Sequence, residues 1–170
     1  MKKITITMLA IAMIAFFAND AMAQTETTDA GAKILAAMTI TESADMHFGT
    51  MTVPTTIAEV DLAVGGSVTI ASGTLTLLAQ APTSHAAAYD ITGDANATYA
   101  ITLPTNGSVT ITEGATPMPV IDFVCSYGAL TSTLDGSGDD NFTIGATLQL
   151  ANAQPAGVYT GTFDVSVAYN

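Results

Sequence analysis

The sequence has few basic residues and a single cysteine. Fifteen acidic residues stand against three basic ones, which gives a net charge of −12 at pH 7. Because a field of this sign repels nucleic acid and anionic lipid, we expect neither to be a partner. Cys125 has no second cysteine with which to form a disulfide within the chain. It is in phase with Ile121, Phe123 and Tyr127, which predicts a buried thiol; an intermolecular disulfide or a reactive thiol is the alternative.

The sequence also lacks the residue patterns of common catalytic sites. No serine lies in a G-x-S-x-G elbow, and no histidine or cysteine spacing matches a zinc site. His47 and His85 are far apart in the sequence, and His47 is out of phase with Met46 and Phe48, which predicts an exposed ring. Nothing singles out a pair of carboxylates for glycoside hydrolysis. We therefore predict that the chain is not an enzyme and uses no cofactor.

One acidic turn offers oxygen atoms at alternate positions, as calcium-binding loops do. The candidate ligands are Asp135, Ser137, Asp139 and Asn141. The segment lacks the glycine at the sixth position of such a loop, and Ala146 stands where the bidentate glutamate belongs. A plain acidic turn is therefore the preferred interpretation, and a calcium site is the weaker one.

The first 23 residues have the pattern of a bacterial secretory signal. Lys2 and Lys3 precede an apolar run from Ile4 to Ala18, and Ala21-Met22-Ala23 forms a small-x-small cleavage site. The apolar run is shorter than the ~20 residues of a spanning helix, and residue 24 is not the cysteine of a lipoprotein. We expect export to the periplasm, the cell surface or the medium, with no transmembrane anchor in the mature chain. The expected organisation is a signal peptide at 1–23, a polar segment at 24–31 and one domain at 32–170.

The last fourteen residues alternate between apolar and polar side chains. The set expected on the buried face is Tyr159, Gly161, Phe163, Val165, Val167 and Tyr169. The other set is polar and begins at Thr160. A period of two over this length predicts a half-buried β-strand that runs to the end of the chain.

Short alternating segments separated by turn residues fill the rest of the chain. The predicted strands are Ile34–Ile40, Met46–Val53, Ser67–Ala71, Thr74–Leu78, Ala87–Thr92, Thr98–Leu103, Ser108–Thr112, Val120–Ser126, Phe142–Leu150 and Val158–Tyr169. The dipeptide Asn106-Gly107 predicts a hairpin between the strands on either side of it. Strands spaced at roughly ten residues, without helical periodicity, predict an all-β sandwich.

Carbohydrate binding is an alternative function because β-sandwiches often provide it. The sequence has no tryptophan. The aromatic rings expected to point inward are Tyr89, Tyr99, Phe123, Phe142, Tyr159, Phe163 and Tyr169. Rings that point inward cannot serve as surfaces on which a sugar stacks. A monomeric secreted binding or adhesin module that uses its loops stays open as the second interpretation.

Several blocks of the sequence resemble a family of secreted bacterial β-sandwich proteins, domain of unknown function 4402. The opening block, Ala32 to Thr50, has an alternating strand and then Asp45-Met46-His47-Phe48-Gly49. The middle block, Gly93 to Pro104, is similar to the family's central hairpin. The ending, Asn141 to Leu150 and then Ala156 to Val165, is the closest match. The resemblance covers the whole chain after the signal.

This family in turn resembles spore-coat-U-like proteins and chaperone–usher pilins. The resemblance implies an incomplete immunoglobulin-like sandwich, in which a strand from a chaperone and then from the next subunit fills a groove. It also implies a C-terminal groove strand with Gly157 and a next-to-last aromatic, Tyr169. The implied partners are like subunits, a periplasmic chaperone or an outer-membrane assembly factor.

The polar segment 24–31 is a poor donor strand. The candidate exchanged strand therefore uses Ala32, Ile34, Ala36, Met38 and Ile40. Two alternatives stay open: a subunit that receives a strand without giving one, and a self-complete sandwich.

Overall fold

The computed structural model describes residues 24–170, and in these residues the protein is all-β. The predicted signal peptide at 1–23 lies outside the described residues. Residues 24–34 form no helix or strand and are exposed, and the compact unit is Leu35–Asn170. Within residues 24–170, no helix has the length and apolar character needed to span a membrane.

Twelve strands make up the described chain, and every ladder between them is antiparallel. They are β1 (Thr39–Ala44), β2 (Thr50–Met51), β3 (Ala58–Leu62), β4 (Val68–Ser72), β5 (Leu77–Leu78), β6 (Ala87–Thr92), β7 (Thr98–Thr102), β8 (Val109–Glu113), β9 (Thr116–Cys125), β10 (Thr131–Thr133), β11 (Asp139–Leu150) and β12 (Ser166–Tyr169).

The larger sheet is built around β11, the longest strand. Along one side β11 pairs first with β6 and then with β3, and along the other side it pairs with β9. Strand β1 extends the sheet beyond β6, β4 extends it beyond β3, and β8 pairs with β9. Phe142, Ile144, Leu148 and Leu150 are buried at alternate positions, which is why this segment folds as a strand with one apolar face.

A second sheet has the order β10-β7-β12, and β2 and β5 form a short two-stranded ribbon. The second sheet thus joins the C-terminal strand to the middle of the chain.

Within residues 24–170, two apolar clusters form the core, and one of them is less completely covered. Cluster 1 holds ten buried residues from β3, β8, β9, β11 and Phe48, with nine partly buried side chains packed against it. Cluster 2 holds eight buried residues, among them Tyr99, Phe142 and Ile144, with thirteen partly buried side chains around it. Cluster 2 therefore has more half-covered apolar side chains than fully buried ones.

The predicted hairpin at Asn106-Gly107 is wrong. Strand β7 pairs with β10 and β12, whereas β8 pairs with β9. The Asn106 side chain instead bonds to Asp122: its Oδ1 accepts the Asp122 backbone N–H at 2.6 Å, and its Nδ2 donates to the carboxylate at 2.5 Å. The turn at Gly107 therefore carries the chain from one sheet to the other.

Other strand predictions also need correction. The first strand begins at Thr39, not Ile34, and the segments Met46–Val53 and Thr74–Leu78 are paired as strands only at Thr50–Met51 and Leu77–Leu78. Strands β3 and β10 were not predicted. Cys125 is half-buried instead of buried, and it packs against the outside of cluster 2.

Candidate assembly edge

Strand β12 is an edge strand. Its four residues pair with β7 in the register Ser166–Thr102 to Tyr169–Tyr99. On its other side, no strand within residues 24–170 pairs with it. An edge of this kind presents unpaired backbone N–H and C=O groups to any strand that approaches.

The hydrogen bonds to β7 show which backbone groups of β12 face the free edge. The Asn170 N–H donates to the Thr98 carbonyl at 3.1 Å. Because antiparallel strands alternate the direction of their polar groups, Ala168 and Ser166 also point toward β7. The N–H and C=O groups of Val167 and Tyr169 therefore point away from β7, toward the free edge.

The side chains of this segment alternate as predicted. Val165, Val167 and Tyr169 are half-buried against cluster 2, whereas Ser166 and Ala168 are exposed. The inward side chains remain half-covered although they line the core. The free backbone edge and the half-covered apolar face thus belong to the same strand.

The prediction of one continuous strand from Val158 to Tyr169 is wrong. Thr160 forms an isolated bridge with Thr112 of β8, with backbone hydrogen bonds of 2.9 and 3.0 Å. Residues 161–165 are then unpaired, and pairing with β7 begins at Ser166. The chain passes from the edge of the larger sheet to the second sheet within these residues.

Two glycines let the segment run close to β8. A Cβ on Gly161 would lie 2.8 Å from the Thr110 carbonyl oxygen, which is backbone and cannot move aside easily. A Cβ on Gly157 would meet only the flexible side chain of Glu113, at 2.6 Å. The close approach at Gly161 therefore requires glycine more strictly.

The two aromatic rings before β12 are anchored differently. Phe163 packs against Phe123 of β9, with ring centroids 5.1 Å apart, and so it joins both clusters. The Tyr159 hydroxyl donates to the Pro155 carbonyl at 2.9 Å and accepts from the buried Gln154 at 3.0 Å. Tyr159 thereby fixes the loop that leads into the C-terminal segment.

The Tyr169 hydroxyl ties three segments of the compact unit together. It accepts the backbone N–H of Asp94 at 2.6 Å and donates to the carbonyl of Ala36 at 2.9 Å. A Cβ on Gly93 would lie 2.5 Å from this hydroxyl oxygen, so the turn before Asp94 approaches the ring closely. The role of the 93–94 turn was not predicted from the sequence.

The candidate exchanged segment is not one strand. Ala32 and Ile34 lie before the compact unit and are exposed, Ile34 by 91%. Ala36 is exposed and unpaired apart from its bond to Tyr169, whereas Met38 and Ile40 are half-buried against cluster 2. Of the five, only Ile40 belongs to a strand, β1, where it pairs with Ile91.

A carboxylate between the sheets is a feature that sequence reasoning missed. Asp140 of β11 accepts hydrogen bonds from the Tyr99 hydroxyl at 3.0 Å, the Tyr127 hydroxyl at 2.7 Å and the Ser132 hydroxyl at 2.6 Å. The backbone N–H of Asn141 donates a fourth, at 2.8 Å. Partial burial acts to raise the pKa of Asp140, but these hydrogen bonds together hold it below its usual value. Asp140 thus links β11 to β7 and β10 as an ionised acceptor.

The acidic turn, for which a calcium site was the weaker interpretation, uses its first carboxylate internally. Asp135 Oδ1 accepts the backbone N–H groups of Ser137 at 2.7 Å and Asp139 at 2.9 Å, and these bonds lower the pKa of Asp135. Asp139 and Asn141 are strand residues of β11 that pair with β6. Among residues 24–170, no group of three or more histidine, cysteine or acidic side chains is arranged to hold a metal ion.

The aromatic side chains of the described residues are all buried or half-buried. Tyr89, Tyr99 and Phe142 are buried as predicted, and burial raises the pKa of Tyr89 to about 12. Phe123, Tyr159, Phe163 and Tyr169, also predicted to point inward, are half-buried. Within residues 24–170, no ring is fully exposed as a surface on which a sugar would stack.

Comparison with known proteins identifies the family. No curated protein and no solved structure matches the chain. The family model of DUF4402, a domain of unknown function, matches residues 38–169, which is most of the chain and nearly the whole compact unit. The family resemblance expected from the sequence blocks is confirmed, and the protein belongs to the DUF4402 family.

Proposed function

We propose that this protein is an exported structural subunit, similar to pilins, that assembles when a strand is added to the free edge of β12. In this proposal the fold is an incomplete immunoglobulin-like sandwich, and no catalytic site is involved. The observation that carries the proposal is the coincidence of a free backbone edge and a half-covered apolar cluster on the same strand. The predicted signal sequence at 1–23 supports export.

Strand addition would satisfy both groups of atoms left open at this edge. An incoming strand would pair with the free N–H and C=O groups of Val167 and Tyr169. Its inward side chains would cover Val165 and the other half-buried residues of cluster 2. Apolar burial of this kind contributes roughly 25 cal/mol per Å², so a few side chains supply a useful driving force.

The proposed donor is an apolar segment from a like subunit, with a periplasmic chaperone or outer-membrane factor occupying the edge beforehand. Ile34 supports the segment that contains it as the donor, because its large aliphatic side chain is 91% exposed and so can enter the apolar groove of another subunit. Tyr169 reaches the same segment at the Ala36 carbonyl.

A pair of substitutions at one position tests strand addition. Val167→Pro removes the N–H that faces the free edge but leaves the bonds to β7, since proline is tolerated where an edge N–H is unpaired. Val167→Ala also removes part of the apolar side chain but keeps the N–H. Both variants would be compared with the wild type by size-exclusion chromatography, with circular dichroism to confirm the β-fold.

We expect the wild type and Val167→Ala to assemble and Val167→Pro to stay a folded monomer. Assembly of Val167→Pro to the same extent as Val167→Ala would show that this edge is not the site. A monomer in all three proteins would contradict assembly itself and would favour a self-complete secreted module.

A further inference from the structure

The two histidines of the sequence face each other across an isolated β-bridge. Each donates its backbone N–H to the other's carbonyl, with both hydrogen bonds 2.9 Å long. His47 lies three residues after the end of β1, and His85 lies two residues before the start of β6. The pair continues the register of Ala44 with Ala88, so the bridge extends the β1–β6 ladder beyond its last paired residues.

His85 lies between two acceptors. Its Nε2 is 2.7 Å from a carboxylate oxygen of Asp45, and its Nδ1 is 3.1 Å from the carbonyl of Thr83. A neutral imidazole carries one N–H and can satisfy only one of the two. The imidazolium form satisfies both, so this geometry selects the charged ring.

His47 has the opposite arrangement. Its Nδ1 accepts the backbone N–H of Gly49 at 2.8 Å, so this nitrogen carries no proton and Nε2 carries it. The neutral ring stacks on the ring of His85, with centroids 5.8 Å apart and planes inclined by 27°. Stacking of a neutral ring on a charged one avoids the repulsion that two charged imidazoles would suffer.

We propose that Asp45, His47 and His85 form a pH-dependent clasp, which holds the end of β1 against β6 when His85 is protonated. Loss of the His85 proton leaves either Asp45 or the Thr83 carbonyl without its donor and removes the ion pair. The bridge between residues 47 and 85 then keeps its backbone hydrogen bonds and the ring stacking but loses the ion pair. The stability of this end of β1 therefore falls as the pH rises.

The pKa shifts at the clasp agree with a loss of stability as the pH rises. The hydrogen bond to Asp45 raises the pKa of His85 above its ordinary 6.5, and the same bond lowers the pKa of Asp45. Because the pKa of His85 is raised in the folded protein, the contribution of its ion pair to stability is complete below about pH 6.5. It is lost as the pH rises through the pKa of the folded protein. Asp45 and His47 are the titratable side chains that the described structure places against His85. After the predicted cleavage site Lys33 is the sole lysine or arginine, so a protonated histidine is a rare positive charge here.

The experiment is an NMR pH titration of the wild type, Asp45→Asn and Glu42→Gln, from about pH 5 to about pH 9. Glu42 is an exposed carboxylate of β1 that pairs with Tyr89 and makes no bond to His85, so it controls for general charge. Two quantities would be measured: the midpoint of the His85 ring signals, and the hydrogen-exchange protection of the residue 47 and 85 amides, corrected for intrinsic rates.

We expect Asp45→Asn to lower the His85 midpoint and Glu42→Gln to leave it nearly unchanged. In the wild type, protection of the two bridge amides should be about two- to five-fold higher at pH 5.5 than at pH 8.5, the range for an exposed ion pair. In Asp45→Asn this difference should be lost. Equal midpoints in the wild type and Asp45→Asn, or protection independent of pH in the wild type, would overturn the proposal.

Discussion

Replacement of Asp140 with alanine removes the shared acceptor of three hydroxyl groups from the second sheet and its neighbouring loop. The Tyr99 side chain is fully buried, so its hydroxyl would lose its charged acceptor and keep only the neutral Ser132 hydroxyl beside it. Tyr127 and Ser132 are half-buried, so water can replace part of what they lose. We therefore expect most of the cost to come from Tyr99 and from the loss of a charged acceptor.

The magnitude follows from the hydrogen bonds. A hydrogen bond to a charged group is worth about 1.5–3 kcal/mol, and the bonds to one carboxylate are not additive. We expect Asp140→Ala to reduce the free energy of unfolding by about 2–4 kcal/mol at pH 7. The neighbouring carboxylate of Asp139 is exposed and provides a control. Asp139→Ala should change the free energy of unfolding by less than about 0.5 kcal/mol.

The effect should also depend on pH. The pKa of Asp140 is lowered in the folded protein, so its contribution is complete above the ordinary value of 3.8 and is lost as the pH falls through the folded value. The difference between wild type and Asp140→Ala should therefore be constant from pH 5 to 7 and shrink in stronger acid.

Urea unfolding followed by circular dichroism measures these quantities. A double-mutant cycle with Tyr99→Phe separates the buried hydroxyl from the rest. Because phenylalanine has no hydroxyl that could lose its charged acceptor, Asp140→Ala should cost about 1 kcal/mol less in that background. If Asp140→Ala costs no more than Asp139→Ala, or if the cycle shows no coupling, the inferred link between the sheets is wrong.

Two further predictions concern the C-terminal segment. Gly161→Ala should reduce the free energy of unfolding by about 1–3 kcal/mol, since its Cβ meets backbone, whereas Gly157→Ala should cost less because a Glu113 side chain can move. Thermal unfolding of both variants checks the difference, and equal costs would contradict the close approach to β8. Tyr169→Phe loses two hydrogen bonds and should cost about 1–2 kcal/mol in the same assay; no loss would mean that its hydroxyl does not anchor the segments it contacts.

The sequence predicts the local pattern of this fold well because burial alternates along each strand. The alternation from Phe163 to Tyr169 and at Phe142 and Ile144 is confirmed, since every second side chain there faces a core. Gly161, also expected on the buried face, is exposed. Strand β3, A-E-V-D-L, shows the same alternation in its burial, so its sequence carries the signal of a strand as well. Strand β10 is T-S-T and carries no apolar signal, so only its pairing with β7 makes it a strand.

The pairing of each strand with its neighbours could not be predicted, because it depends on contacts between residues distant in sequence. Asn106-Gly107 is an ordinary hairpin signal, yet the Asn106 side chain bonds to Asp122 and the chain changes sheets there. Asp140 did carry a signal: it is in phase with the buried Phe142 and Ile144, so an acidic side chain was directed inward and needed donors. A carboxylate expected to point inward, together with tyrosines expected to point inward, therefore predicts hydrogen bonds between them.

The free edge of β12 gives the central claim its most direct test. The mature protein recovered from the cell surface or medium would be run on a denaturing gel with and without heating, alongside size-exclusion chromatography. Strand-exchanged subunits predict a ladder in the unheated sample that collapses to one band on heating, and a high-mass species on the column. A single monomer band in both samples, with a monomer on the column, would contradict assembly through this edge.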